Sequence, residues 1–310
     1  MPTFGFKLPN CGGMMARPEW TTPANILRLA RRAAELGFDS VWLHDHYVAP
    51  REYDHLPLVP ALDPLTVMSY VTAAVPGITV GTAALVLPLR EPVALAKQMV
   101  TVSEFAPGRV VFGVGAGQYE SEFEAFGSTA FGRRGKVVEE SLTLIGRLMS
   151  EDRITFDGEF RQLRDARIQP LPATRPPIWV AGNAPPAIRR AARHGDGWIC
   201  AARAEPEVAE LVRLARTSRE KAGGGPFTVA LSTTVARAER GGRSGPKLHE
   251  HKHNITGDAA AVAAAIDRYA EAGVDHVILT FATDTLDALV EDMQWFAENV
   301  VGVTAGRAAV

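Results

Sequence analysis

Residues Thr79–Pro92 read TVGTAALVLPLREP. The β-branched and apolar residues from Thr79 to Leu85 predict a strand. A strand buried on both faces normally fills its interior with Val, Ile or Leu. Ala83 and Ala84 instead leave room in the middle of this one. A flat ligand could use that room, and an ordinary barrel strand with small fillers would read the same way. Pro88 breaks the run, and Pro92 restarts the chain as a helix reaching Phe105.

The same alternation extends in both directions. Thr3–Lys7, Ser40–Leu43, Arg109–Val114, Pro177–Gly182, Trp198–Ala201, Phe227–Thr234 and His276–Thr280 read as further strands. Helices are predicted over 23–36, 63–74, 133–149, 186–194, 205–222, 258–272 and 285–300, several with Thr, Asp or Pro at their starts. Ile154–Leu163 reads as a hairpin turning at Asp157-Gly158. Eight strand–helix alternations predict an α/β fold of the (β/α)8 TIM barrel type, one domain over 1–310. A doubly wound sheet is the competitor and would more often show five to seven strands. The stretch Ala236–Gly257 is too long for a simple connection and follows a strand end. It predicts an insertion at the C-terminal face of the barrel, where such folds hold their chemistry.

Composition narrows the function. The chain has 310 residues, 46% of them hydrophobic, and a formal charge of −2. Acids and bases are mixed, with no basic stripe for nucleic acid and no polybasic membrane patch. No apolar run is long enough to span a bilayer, and the first residues do not read as a signal peptide. Two distant cysteines, Cys11 and Cys200, give neither a disulfide framework nor a metal spacing, which fits a reducing cytoplasm.

Several strand ends carry polar or glycine-rich residues. The second ends in Leu43-His44-Asp45-His46-Tyr47, and an imidazole beside a carboxylate can move protons near neutral pH. A histidine-rich surface turn is the bland reading. The fourth ends in Gly113-Val114-Gly115-Ala116-Gly117-Gln118, where glycines allow close approach of a ligand or simply tight packing. The fifth ends in Ala181-Gly182-Asn183-Ala184 before two prolines. Backbone N–H groups of Gly182, Asn183 and Ala184 at a helix start could hold a phosphate. His249, His251 and His253 alternate in the long loop, where a solvated lid is the stronger reading than a metal site. Trp20, Tyr47, Tyr53 and Tyr119 could form an aromatic pocket or pack as core. No GxSxG, HExxH or Walker A motif occurs.

Taken together, LGFDSVWLHDHY (36–47), DPLT (63–66), VGTAALVLPLREPVALAKQ (80–98), GRVVFGVGAGQYESEFEAFG (108–127), RRGKVVEES (133–141), PPIWVAGNAPPAIRRAARHGDGW (176–198) and AGVDHVILTF (272–281) resemble the luciferase-like monooxygenase superfamily. The likeness is strongest to its coenzyme F420-dependent oxidoreductase branch. The resemblance implies that His46 is the active-site histidine, with Asp45 beside it at the cofactor ring. It implies a cis peptide at Ala83–Ala84 behind that ring, with Leu85 and Val86 continuing the wall. Gly115, Gln118 and Ser121 match positions lining the cofactor, and Ala181, Gly182, Asn183 and Ala184 match the cradle of its phosphate end. Arg189 and Arg190 are candidates for the acidic tail of F420.

Two departures stand out. Sugar-phosphate dehydrogenases of the family carry an acid where this chain has Gln118, and the 236–257 loop follows no family pattern. The resemblance thus implies hydride transfer between F420 and a small organic substrate, by a homodimer. The alternative is an oxygen-using reaction of reduced FMN supplied by a separate reductase. A third option is a barrel that only binds a flavin.

Overall fold

The computed structural model describes residues 1–11, 17–53, 61–201, 203–240 and 254–301. The chain begins with β1 (Thr3–Lys7), α1 (Pro23–Glu35), β2 (Ser40–Leu43) and α2 (Pro64–Ala74). It continues through β3 (Thr79–Thr82), β4 (Leu85–Val86), α3 (Pro92–Phe105), β5 (Val110–Gly115), α4 (Glu120–Ala125) and α5 (Arg134–Ser150). A hairpin of β6 (Ile154–Asp157) and β7 (Gln162–Ala166) leads to β8 (Ile178–Ala181), α6 (Pro185–His194), β9 (Gly197–Ala201) and α7 (Glu205–Lys221). The last elements are β10 (Thr228–Arg237), β11 (Asn254–Gly257), α8 (Ala259–Glu271), β12 (His276–Phe281) and α9 (Leu286–Phe296).

Parallel pairing runs β1–β2–β3–β5–β8–β9–β10–β12 and returns to β1, with β4 continuing β3 along β5. Among the described residues these strands close the (β/α)8 barrel. The helices enclose it, and their starts are satisfied locally. Thr22, Asp63, Glu91, Asp258 and Thr285 each accept a backbone N–H from the first turn of the helix they precede.

Strand alternation divides the core into an outer and an inner layer. Phe4 and Phe6 of β1 point out to the helices and pack with Phe38, Phe281 and Phe296. Gly5 points in. A Cβ there would lie 2.3 Å from Nε1 of Trp42, and one at Gly81 would lie 2.4 Å from the same ring. Those two glycines make room for an indole across the barrel axis. Trp42 packs on Trp179 with ring centres 5.2 Å apart, and Val111, Ile199, Ala230 and Ile278 complete this inner plug. The lower barrel is thereby filled, and open space is left toward the strand C-termini.

One buried imidazole sits in the plug. The Trp42 indole N–H donates to the Ser40 hydroxyl at 2.8 Å and lies 3.2 Å from Nε2 of His276, while the His276 Nδ1 is 2.7 Å from the Thr3 hydroxyl. Burial pushes the His276 pKa down from 6.5 to about 4. The unfolded chain therefore binds a proton that the folded chain refuses between those values. The stabilisation is complete above pH 6.5, is lost as pH falls toward 4, and changes no further below that. Between pH 7 and 5 this amounts to about 2 kcal/mol. In urea unfolding at the two pH values, His276→Gln is expected to show a correspondingly smaller acid-side loss than the wild type. An equal loss in both would assign the acid sensitivity elsewhere.

The structure departs from the sequence expectation in four places. The third strand divides into β3 and β4 at Ala83–Ala84, where the peptide bond is cis as the resemblance implies. The residues between β5 and α5, for which no element is predicted, contain α4. The hairpin turns over 158–161, because the Glu140 carboxylate of α5 accepts the N–H groups of Glu159, Phe160 and Arg161. Part of the expected lid is strand: β10 runs on to Arg237, and β11 pairs parallel to it. His249, His251 and His253 lie outside the described residues.

Candidate active site

A cavity of about 300 Å³ opens at the C-terminal end of the barrel. One wall is made of small residues. Ala83 and Ala84 come from the kink, Gly115 from the end of β5, and Ala181 from the end of β8. A Cβ on Gly115 would sit 3.6 Å from that of Ala84 and 3.9 Å from that of Ala181. These positions therefore form one continuous shallow surface, extended by Leu85 and Val86. The kink that creates it is seated on β5. Thr82 donates its hydroxyl proton to the Gly113 carbonyl at 2.8 Å, and a Cβ on Gly113 would fall 1.9 Å from the Thr82 carbonyl oxygen.

His46 stands at the edge of this wall. Its Nδ1 is 3.0 Å from Oε1 of Glu122 in α4, and its side chain is 9% exposed. Glu122 is fully buried, and its Oε2 has no hydrogen-bond partner among the described residues. A carboxyl group accepting from Nδ1–H fixes both tautomer and ring plane. Proton exchange with a ligand then falls to Nε2. Sequence reasoning missed Glu122. It lies between Glu120 and Glu124 in a segment that reads as polar loop, and only the fold shows that one of the three turns inward.

Asp45 lines the cavity, but it does not hold His46. Arg90 grips it with two hydrogen bonds, Nε to Oδ2 at 3.0 Å and Nη2 to Oδ1 at 2.7 Å. Oδ2 also accepts the Val86 N–H at 2.8 Å. Arg90 reaches Asp63 at 3.2 Å and lies 4.4 Å from the centre of the Tyr47 ring. Neutralised in this way, Asp45 pins the segment after the kink to the segment carrying His46. Asp45 is next to His46 in sequence, but it is Glu122 that is hydrogen-bonded to the imidazole.

Gly115, Gln118, Ala181 and Gly182 do line the cavity. Ser121 turns away from it, donating its hydroxyl to Glu52 and accepting the Arg51 N–H at 3.1 Å. Asn183 and Ala184 sit just outside. The Asn183 side chain clamps the backbone of Ala201 through two hydrogen bonds, at 2.9 and 3.0 Å. The Gly182 N–H is already given to the Ile199 carbonyl at 3.1 Å, so it cannot serve a phosphate. Pro185 and Pro186 open α6, leaving the N–H groups of Asn183 and Ala184 as the donors at that helix start. Arg189 is exposed. Arg190 is buried against the first turn of α5, with Nη2 2.8 Å from where a Gly135 Cβ would be, and its Nε has no partner among the described residues. Tyr119 is buried on the cavity wall, Tyr47 packs against Phe126 with ring centres 5.1 Å apart and planes tilted by 49°, and Trp20 is core. The side chain of Tyr53 lies outside the described residues. Burial pushes both cysteine thiols up to about 12, so neither is a nucleophile near neutral pH. Among the described residues no cluster could hold a metal ion, and no helix is long and apolar enough to cross a membrane.

The open end of the barrel thus joins a wall of small residues to an imidazole hydrogen-bonded to a buried carboxyl group. The family model for luciferase-like monooxygenases matches residues 2–242, and the chain belongs to that family. An F420-dependent glucose-6-phosphate dehydrogenase of Kineococcus radiotolerans is 35% identical over 197 residues, 61% of this chain and 55% of that protein. The chain thus matches only a little over half the length of that curated relative. An F420-dependent secondary alcohol dehydrogenase, solved with an F420-acetone adduct, superposes with a TM-score of 0.81 at 20% identity, covering 98% of this chain and 99% of the other. A monooxygenase from Streptomyces bottropensis gives the same TM-score at 22% identity, covering 97% and 99%. Both likenesses establish the fold.

Proposed function

We propose that the protein is an oxidoreductase that uses coenzyme F420 to transfer a hydride to or from a small organic substrate, working as a homodimer. The observation that carries this reading is the flat Ala84–Gly115–Ala181 surface facing the same cavity as His46. A larger side chain at any of the three would fill the space a tricyclic ring needs. The name of the Kineococcus relative points to the same cofactor.

When bound, the deazaflavin supplies the carbon that gives or takes the hydride. The protein does the rest. Ala83, Ala84 and Val86 would line the place where the ring lies. Glu122 fixes the imidazole, and His46 Nε2 gives or takes the accompanying proton. Asp45, through Arg90 and the Val86 N–H, holds the wall and the imidazole in register. Gln118 brings no ionisable group to the cavity and cannot serve as the acid.

Reduced FMN with oxygen, and a reductase as partner, is the second reading. It is favoured by the family's monooxygenases and by a ring wall that would suit either cofactor. Fluorescence titration with F420 and with FMN, each oxidised and reduced, separates the two. F420 is expected to bind about 100-fold more tightly. Preference for FMN would transfer the reading to the oxygenases.

A further inference from the structure

Ser121 turns its back on the cavity, yet it bears on the site from behind. It precedes Glu122 in α4, and both residues are buried. His46 lies just past the end of β2, and the chain then runs on to a single turn of 3-10 helix at Arg51–Tyr53. Two adjacent rungs join this run to α4. On the cavity side, His46 Nδ1 is 3.0 Å from Glu122 Oε1. On the outer side, Ser121 Oγ accepts the Arg51 N–H at 3.1 Å, and its hydroxyl proton goes to the Glu52 carboxylate. The Arg51–Glu124 ion pair beside them is exposed at both ends and adds little. The helix needs such support. It has six residues and no side-chain cap at its start, and a helix that short is not stable alone. Phe123 seats its inner face against Phe131, with ring centres 5.2 Å apart. Apolar burial is non-directional, so it does not by itself fix the rotation that points Glu122 at His46.

We infer that Ser121 is a positioning residue: by clasping Arg51 and Glu52 to α4, it sets the place of the Glu122 carboxyl against His46 Nδ1. That the imidazole so held serves hydride transfer rests on the proposed function. That it is held through Ser121 does not. A hydroxyl suits the position, because it accepts from a backbone N–H and donates to a carboxylate at once. The bond to the charged partner is the stronger of the two. The same bond holds the Glu52 carboxyl below its ordinary range. The two rungs involve neighbouring residues of one short helix, so loosening the outer one lets the inner one drift.

The test is nuclear magnetic resonance of the full chain with 15N-labelled histidine and tryptophan, without cofactor. The reporter is the His46 Nδ1–H proton, identified by its loss in His46→Gln. In the wild type it is expected to exchange slowly with water, being bonded to a buried carboxyl group. Ser121→Ala is expected to speed that exchange by about tenfold or more. Ser121→Thr keeps the hydroxyl and is expected to stay within about threefold of the wild type. The Trp42 indole N–H, bonded to Ser40 in the barrel plug, is the reference and is expected not to change. An unaltered His46 signal in Ser121→Ala overturns the role. Equal acceleration at Trp42 overturns it as well, since the whole fold would then have loosened. So does a wild type with no slowly exchanging Nδ1–H, which would have no placement to hold. Should Ser121→Ala fail to fold, Glu52→Ala removes an exposed carboxylate and still decides. It is expected to speed the exchange about threefold or more, and no change there overturns the role. The expected exchange rates in a protein that binds no F420 would keep Ser121 in its role and sink the proposed function instead.

Discussion

His46→Ala is expected to lower turnover with F420 by about 10²–10⁴-fold while F420 affinity stays within about threefold. The loss follows from removing the one cavity imidazole that a buried carboxyl group holds in a single tautomer. Glu122 acts through that ring and touches no ligand in this account, so its replacement separates positioning from bulk stability. Glu122→Gln keeps the shape and can still accept from Nδ1, but as a neutral amide it holds the ring less firmly. It is expected to reduce kcat by about 10–100-fold with KM and melting temperature little changed. A variant that merely loosened the fold would lower the melting temperature and raise KM together. Wild-type turnover in His46→Ala, measured by the absorbance of oxidised F420, would remove the histidine from the mechanism.

Asp45→Ala is expected to act on the fold. The side chains of Asp45 and Arg90 are 1% and 4% exposed, and the pair is bidentate. Removing one member of such a pair leaves the other charged and buried, which costs about 3–5 kcal/mol. The Val86 N–H loses its acceptor at the same time. Denaturant unfolding should report this loss, and Arg90→Met should be similarly costly. The double replacement should recover part of it, since neither charge is then stranded. A cost below about 1 kcal/mol for Asp45→Ala would mean that the pair is wetter than its burial indicates.

The barrel was legible because strand and helix periods alternate eight times along the chain. The open space beside the kink was legible for a physical reason too: Ala83 and Ala84 are small where a buried strand should be large. What the sequence hid were pairings between distant segments. Asp45 beside His46 reads as a local dyad, yet the successive residues point to different partners, Arg90 and Glu122, both far along the chain. Gly182 reads as a phosphate donor until the barrel gives its N–H to Ile199. Ser121 fell one residue from the inward position that Glu122 takes.

The roles given to His46 and Glu122 depend on a planar ring lying against the Ala84–Gly115–Ala181 surface. The most direct measurement is the F420 affinity of Ala84→Leu, read by quenching of deazaflavin fluorescence, alongside its melting temperature. The added side chain should occupy the ring's place and weaken F420 by about 100-fold or more, with the melting temperature close to that of the wild type. Undiminished F420 binding by a folded Ala84→Leu protein would contradict the placement and, with it, the roles given to His46 and Glu122.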